Sequence, residues 1–335
     1  VSGGNVYAVE SNGAVINADN AQQMDGAASA DAAASVNTSW GNEAVAAAAV
    51  GNGYTGATTS GGMTLRSFQA GNGDTHAGAT LDSGPAANAA VSASAGANVA
   101  ALSADTGDLN AALEQESNGR VDAATRGSNA AVYGDSVADA IASANNVTAS
   151  GYTTTSTTST TQRANCEYVR ANVGLYAGSA SNASGNATAD GNAATIDNQW
   201  GYTNAHIDQQ SSGHINANSY VTLGGDFAGF ASAGAYGVGN SATVANAGSD
   251  TVMDTAQNNS GYIEANSAIG GDGDGAALSS SAAYGNAVNG TLCSSCTNGG
   301  TPQMTANNHQ VNHGDVYASS RASSSYAGTI ATTST

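Results

Sequence analysis

Four residues near the C-terminal end of the sequence have types and spacing that could bind a metal ion. They are Cys293, Cys296, His309 and His313, and their C-x2-C-x12-H-x3-H spacing matches a two-Cys, two-His zinc site. The twelve residues between the pairs include two glycines and a proline but neither Phe nor Leu, so they lack the helix and small core of a zinc finger. We therefore predict a Cys293–Cys296 disulfide formed in an oxidising compartment, with a local metal site as the less favoured alternative.

The other candidate reactive groups are isolated along the chain. Cys166 has no cysteine near it in sequence and is predicted to be a free thiol, with an intermolecular link as the less favoured alternative. Glu114 and Glu116 alternate along a strand-like stretch without a nucleophile or base beside them. The remaining histidines are single residues in separate segments: His76, His206 and His214. We therefore predict no enzymatic activity, no cofactor and no metal, with a polysaccharide-degrading enzyme as the least favoured reading.

The composition excludes several classes of protein. The chain of 335 residues carries 25 acidic and 6 basic residues, which gives a net charge of −19. A chain of this kind cannot neutralise phosphates, so nucleic acid and anionic membrane surfaces are excluded as partners. No apolar run approaches the roughly 18 residues that a membrane span needs. The sequence begins with Val and has no signal peptide, which we expect of a processed, exported protein.

Two amide residues recur at a nearly constant interval, which indicates a repeat architecture. Seven glutamines are separated by 47, 46, 47, 47, 48 and 53 residues: Gln22, Gln69, Gln115, Gln162, Gln209, Gln257 and Gln310. Seven asparagines, each preceded by Gly or Ala, form a second series: Asn5, Asn52, Asn98, Asn145, Asn192, Asn240 and Asn286. Six of them lie 17 residues before the next Gln and the last lies 24 before it, so the final copy contains a seven-residue insertion near the cysteine pair.

The segment after each glutamine has the character of a turn followed by a strand. The fourth residue after Gln is Cys166 in one copy and a predicted turn glycine in the others: Gly26, Gly73, Gly119, Gly213, Gly261 and Gly314. The pattern continues as Gly-x-(Val/Ile)-x-Ala, an alternation typical of a strand. A Gly-rich turn, an Ala/Ser alternation up to the Asn, and a segment rich in Thr, Ala and Val complete the copy.

These features predict an all-β fold, a β-solenoid of about 47-residue repeats. The Ala-rich segment 42–50 makes a stack of short helices the rival, but recurring Gly, Ser, Thr and Asn favour strands. Whether one repeat forms one large coil or two smaller ones stays open. Stacked copies place identical residues about 4.8 Å apart, so aligned Gln and Asn side chains are predicted to form amide ladders.

We predict a single repeat domain over residues 1–335. Six full repeats occupy 22–309, and complementary half-repeats occupy 1–21 and 310–335. Together the half-repeats have the length of one copy, so two molecules are expected to complete a missing copy head-to-tail and to extend into a filament. The alternative is that the sequence is an excerpt of a longer repetitive protein.

The pattern Gln-x-x-x-Gly-x-(Val/Ile)-x-Ala, with Gly-Asn punctuation and a Cys-x-x-Cys insertion, resembles the holdfast-anchor proteins of the HfaD type over essentially the whole chain. It is more distantly similar to curlin, the curli-fibre subunit, whose repeats are shorter. Both resemblances imply an exported surface protein that assembles and adheres and has no enzymatic activity.

The sequence therefore predicts a non-enzymatic structural subunit of an extracellular or cell-surface filament or adhesive anchor. Its expected partners are further copies of itself, and also surface polysaccharide or other envelope anchor proteins. The alternative is a monomeric surface adhesin or a polysaccharide- or ice-binding solenoid. That alternative requires one regular Thr- or Tyr-lined face, for which the Thr-rich segment 153–161 is the candidate.

Overall fold

The structure is a computed structural model that describes residues 1–225, 227–273, 275–293, 295–296, 301–324 and 328–335. The described residues form 22 β-strands and no α-helix, so none of them lies in a helix that could cross a membrane. The strands assemble into three sheets in which every neighbouring pair is parallel. The predicted all-β solenoid is therefore confirmed.

The first sheet contains eight strands, most of them long. In spatial order they are β1 (Ser2–Ser11), β4 (Asn42–Thr58), β7 (Asn88–Ala104), β10 (Asp135–Tyr152), β13 (Asn182–Gln199), β16 (Phe230–Ala247), β19 (Ala276–Cys293) and β22 (Thr329–Ser334).

The second and third sheets contain seven shorter strands each. The second sheet consists of β2 (Ile16–Met24), β5 (Met63–Gly71), β8 (Gly107–Ser117), β11 (Thr154–Ala164), β14 (Thr203–Ser211), β17 (Thr251–Asn259) and β20 (Met304–Asn312). The third sheet consists of β3 (Ala28–Val36), β6 (Thr75–Ala86), β9 (Val121–Val132), β12 (Tyr168–Ala177), β15 (His214–Leu223), β18 (Ile263–Gly271) and β21 (Val316–Ser324).

One coil of the solenoid consists of one long strand followed by one strand of each short sheet. Identical positions in neighbouring coils pair directly, as Asn98 pairs with Asn145 and Gln115 with Gln162. These partners are 47 residues apart in sequence, so a single large coil, and not two smaller ones, separates them. The spacing is 53 residues between Gln257 and Gln310, because the insertion lies between β19 and β20.

Each long strand bends at the small residue that precedes its asparagine. In β4, Val50 pairs with Gly96 and Asn52 pairs with Asn98, whereas the register skips Gly51. Ala49 and Asn52 both point inward, so the alternation of inward and outward residues changes phase at the bend. The asparagine therefore lies inside a continuous strand and does not mark its end. The residue skipped by the register turns the chain, while backbone pairing continues on both sides of it.

The bend divides the interior of the solenoid into two cores. The first halves of the long strands pack against the third sheet in an alanine-rich core, in which Ala142 and Val173 are buried. The second halves pack against the second sheet in a core of larger side chains, such as Leu109 and Ile207. We call the narrow region between the two cores the waist.

Alternating burial explains why these small-residue segments form strands. In β11, Thr154, Ser156, Thr158 and Thr160 point inward and are buried, while the residues between them point outward. The Ala-rich segment 42–50 lies in β4, so the helical alternative is wrong for that segment. Its alanines alternate between the alanine-rich core and the outer face, which a strand permits at every second residue.

Candidate functional site

The asparagines at the bends form one continuous row of hydrogen bonds along the waist. Each side-chain Nδ2 donates to the Oδ1 of the counterpart in the next coil towards the C-terminus, over 2.8–2.9 Å. The row contains Asn5, Asn52, Asn98, Asn145, Asn192, Asn240 and Asn286. The five inner members are completely buried.

The glutamines form a second row, located on the second sheet and facing the first row across the waist. Each Nε2 donates to the Oε1 of the counterpart in the preceding coil, over 2.7–2.9 Å. The row contains Gln22, Gln69, Gln115, Gln162, Gln209, Gln257 and Gln310. The structure thus places all fourteen amide residues singled out from the sequence in two rows.

The second N–H of each inner amide group connects the two rows. Asn52 Nδ2 donates to the backbone carbonyl of Ala70, which follows Gln69 (2.9 Å). Gln69 Nε2 donates to the carbonyl of Val99, which follows Asn98 of the next coil (3.1 Å). Because an unpaired buried polar group costs about 1–3 kcal/mol, these cross-links hold the long strand against the second sheet at every coil.

The two rows donate in opposite directions, and this gives the two ends of the stack different chemistry. At the first coil, Asn5 Oδ1 accepts no hydrogen bond from a described residue. Among the same residues, Gln22 Nε2 donates only to the backbone carbonyls of Asn5 and Gly53. At the last coil, and within the described part of the chain, Asn286 Nδ2 donates only to the carbonyl of Val311, and Gln310 Oε1 accepts no hydrogen bond.

The predicted turn glycines stack directly on one another. A Cβ at Gly73 would lie 1.9 Å from the carbonyl oxygen of Gly26, and a Cβ at Gly119 would lie 2.1 Å from that of Gly73. The same approach recurs later in the chain, at 2.0 Å for Gly261 and 1.8 Å for Gly314. Gly213 approaches the carbonyl of Cys166 less closely, and Gly26 lies at the free edge with no atom near its Cβ position.

Cys166 is accommodated by a longer turn. Four residues lie between Ala164 and Val169, whereas three lie between the corresponding residues Ser117 and Val121 of the preceding coil. The cysteine is buried, and burial raises the pKa of its thiol to about 11. The thiol is therefore neutral and unreactive at physiological pH.

Comparison with known proteins identifies the family. The sequence matches the family described as holdfast attachment protein D (HfaD) over residues 1–262. The chain belongs to the HfaD family. No curated protein and no solved structure matches it, and the more distant resemblance to curlin receives no support. Residues beyond the matched region continue the same three sheets with β18 to β22.

HfaD is an attachment family and not a known enzyme family, and membership places this chain at the bacterial cell surface. Within the described residues no group of three or more His, Cys, Asp and Glu side chains could hold a metal ion. Glu114 forms an ion pair with Arg163 of the next coil at 3.1 Å, so this glutamate braces neighbouring coils.

The two cysteines and two histidines of the zinc-like spacing do not come together in this HfaD-family chain. The Cys293 and Cys296 sulfurs are bonded to each other in a disulfide. His309 is exposed on the outer face of β20, and His313 is exposed just after that strand. Residues 297–300, which the zinc-finger argument used, lie outside the described residues.

Sequence reasoning missed a third row, which runs along the exposed turn beside the stacked glycines. Asn72 Nδ2 donates to Asp25 Oδ1 and Asn118 Nδ2 donates to Asn72 Oδ1, both over 2.8 Å, and Asn165 and Ser212 extend the row more weakly. The signal was available, because each member immediately precedes the position of a turn glycine or Cys166. It was harder to detect because Asp25 and Ser212 interrupt the run of asparagines.

Proposed function

We propose that this HfaD-family chain is a non-enzymatic structural subunit of a holdfast anchor, and that it self-assembles head-to-tail by stacking coil on coil. The observation that carries the proposal is the opposite donation of the two amide rows. In the last coil of an added molecule, Asn286 has an N–H that can donate and Gln310 has an Oε1 that can accept. The first coil offers Asn5 Oδ1 as the acceptor and Gln22 Nε2 as the donor. Both rows then continue across the junction without a break.

Head-to-tail stacking pairs each row with its own kind, Asn with Asn and Gln with Gln, as within the chain. It also keeps the parallel strand pairing of all three sheets, whereas two equal ends placed face to face across a two-fold axis would lose that pairing. A heterologous contact of this kind does not close, so it extends into a filament.

The edges of the sheets supply the remaining hydrogen bonds. The edge strands are β1, β2 and β3 at one end and β20, β21 and β22 at the other. Edge strands present unpaired N–H and C=O groups that template the addition of another strand. The net charge of −19 opposes side-by-side contact between acidic surfaces, so growth is axial.

The first test is microscopy and fibre diffraction of the purified chain with and without an edge substitution. Ala32 lies on β3 with its side chain half-buried at the open edge, and its counterpart Ala79 in the next coil is 2% exposed. In Ala32→Asp the carboxylate stays hydrated in the single chain, but an added coil would bury it, so we expect filaments to disappear. The matched control is Ala33→Asp, because Ala33 is exposed on the outer face of the same strand.

We expect the unsubstituted chain and Ala33→Asp to form filaments with an axial reflection near about 4.8 Å. Discrete particles from the unsubstituted chain at high concentration contradict self-assembly. Filaments of equal length from Ala32→Asp contradict stacking at this edge.

A further inference from the structure

A depression of about 410 Å³ opens on the outer face of the second sheet, across the first four coils, and Asp19 of the edge strand β2 is part of its lining. β5 contributes Arg66 and Phe68 to one wall, and β11 contributes Ser159 and Thr161 to the other. Ala112 of β8 pairs with Arg66 on one side and with Ser159 on the other, so a methyl group forms the floor between larger side chains. The two walls are two coil steps apart, roughly 10 Å.

The wall on β5 combines an exposed phenyl ring with a guanidinium group. Phe68 is 38% exposed, although a phenyl ring on a strand face gains free energy by being covered. Arg66 forms no ion pair with any described residue, even though this acidic chain pairs Arg120 and Arg170 with carboxylates of neighbouring coils. The ring and the guanidinium group are therefore both available to a ligand.

The charges around the depression argue against a strongly ionic ligand. Glu114 lies in the lining and is already paired with Arg163 at 3.1 Å, and Asp19 lies beside Arg66. The lining thus contains one guanidinium group and two carboxylates, so it has no excess positive charge that could attract an anion. The Ser159 and Thr161 hydroxyls add groups that can both donate and accept hydrogen bonds.

We propose that this depression binds a neutral glycan chain. The apolar face of a pyranose ring packs on Phe68, and its hydroxyl groups are hydrogen-bonded by Arg66 and by the hydroxyls of β11. The inference rests on the proposed attachment role, to which it adds a ligand class, but it is tested separately from self-assembly, because Arg66 and Phe68 lie on β5 and not on the edge strand β2.

The test is calorimetric titration of the full chain with three hexasaccharides, namely cellohexaose, its N-acetylamino counterpart from chitin, and hexagalacturonate. We expect a neutral hexasaccharide to bind and hexagalacturonate not to bind. Phe68→Ala should weaken binding of the neutral probe at least about tenfold, and Arg66→Gln should weaken it severalfold. The matched control is Phe230→Ala, because Phe230 is 44% exposed on the first sheet and should change the affinity less than about twofold.

Binding of neither neutral probe at millimolar concentration overturns the proposal, as does equal affinity of the Phe68→Ala and Phe230→Ala variants. Tighter binding of hexagalacturonate shows that the site takes an acidic glycan and also overturns it. Filament formation by the same variants is measured in parallel. Loss of glycan binding with intact filaments, or the reverse, separates this inference from the self-assembly proposal.

Discussion

Gln115 donates a hydrogen bond of 2.7 Å from its Nε2 to the Oε1 of Gln69, its counterpart one coil nearer the N-terminus. The same Nε2 donates to the backbone carbonyl of Asn146, and Gln115 Oε1 accepts from Gln162. Gln115 is 1% exposed, so no water replaces these partners. The glutamine row is therefore an internal spine that connects each coil with both of its neighbours.

Substitution of Gln115 by Leu should destabilise the fold strongly. The variant keeps a side chain of similar size but leaves polar groups of Gln69, Asn146 and Gln162 buried without partners. At about 1 kcal/mol or more for each group, the free energy of unfolding should fall by about 3 kcal/mol. The matched control is Gln310→Leu, where an exposed glutamine donates a single bond to Gln257, so one group loses its partner and the loss should be only about 1 kcal/mol. Urea unfolding followed by circular dichroism measures both, and equal losses contradict the internal role of the row.

Gly119→Ala should disrupt the stacked turns. Its Cβ would lie 2.1 Å from the carbonyl oxygen of Gly73, a backbone atom that cannot move aside without shifting a neighbouring coil. We expect a loss of about 3 kcal/mol, at the upper end of overpacking costs. Gly26→Ala is the control, because no atom lies within 4 Å of its Cβ position. A Gly119→Ala variant with an unchanged melting temperature contradicts the close approach of the turns.

Asp190 should make the stability of the fold depend on pH. Its Oδ1 is buried without a hydrogen-bond partner among the described residues, and burial raises the pKa of the carboxyl group to about 7. The folded state therefore retains the proton that the unfolded state releases near pH 4, so the free energy of unfolding falls as the pH rises from about 4 to about 7. The contribution of this group is on the order of 2 to 4 kcal/mol.

The measurement is the urea midpoint at pH 5 and pH 8 for the chain and for Asp190→Asn. The substitution should remove most of the loss of stability between the two values, because the amide carries no charge at either pH. Asp197→Asn is the control, since Asp197 is exposed on the same strand. If Asp190→Asn loses as much stability between pH 5 and pH 8 as the unsubstituted chain, Asp190 does not carry the effect.

The β-solenoid and the alignment of the amide residues followed from the sequence for a simple physical reason. A period of 46 to 48 residues that keeps Gln and Asn in step leaves few structures other than a stack, and a stack must bring identical side chains together. The family resemblance depended on the same pattern, and the match over residues 1–262 confirms it.

Other features could not be read from residue types. An amide group can donate in either direction along a stack, so the opposite directions of donation in the rows containing Asn98 and Gln115 do not follow from residue type. The bend at Gly51 was hidden because the strand continues through it, and inward and outward residues exchange only there. The depression beside Phe68 depends on which outward residues become neighbours across coils, such as Arg66, Ala112 and Ser159.

Head-to-tail stacking is tested most directly by mixing two variants, each of which is blocked at a different end of the solenoid. Ala32→Asp blocks the first coil, and Ala318→Asp blocks the last coil, because Ala318 is half-buried on β21 and its counterpart Ala265 is completely buried. Each variant alone keeps one intact edge and should be monomeric by light scattering coupled to size-exclusion chromatography. An equimolar mixture should give heterodimers and nothing larger. Homodimers of either variant alone, or a mixture that stays monomeric, would contradict head-to-tail stacking.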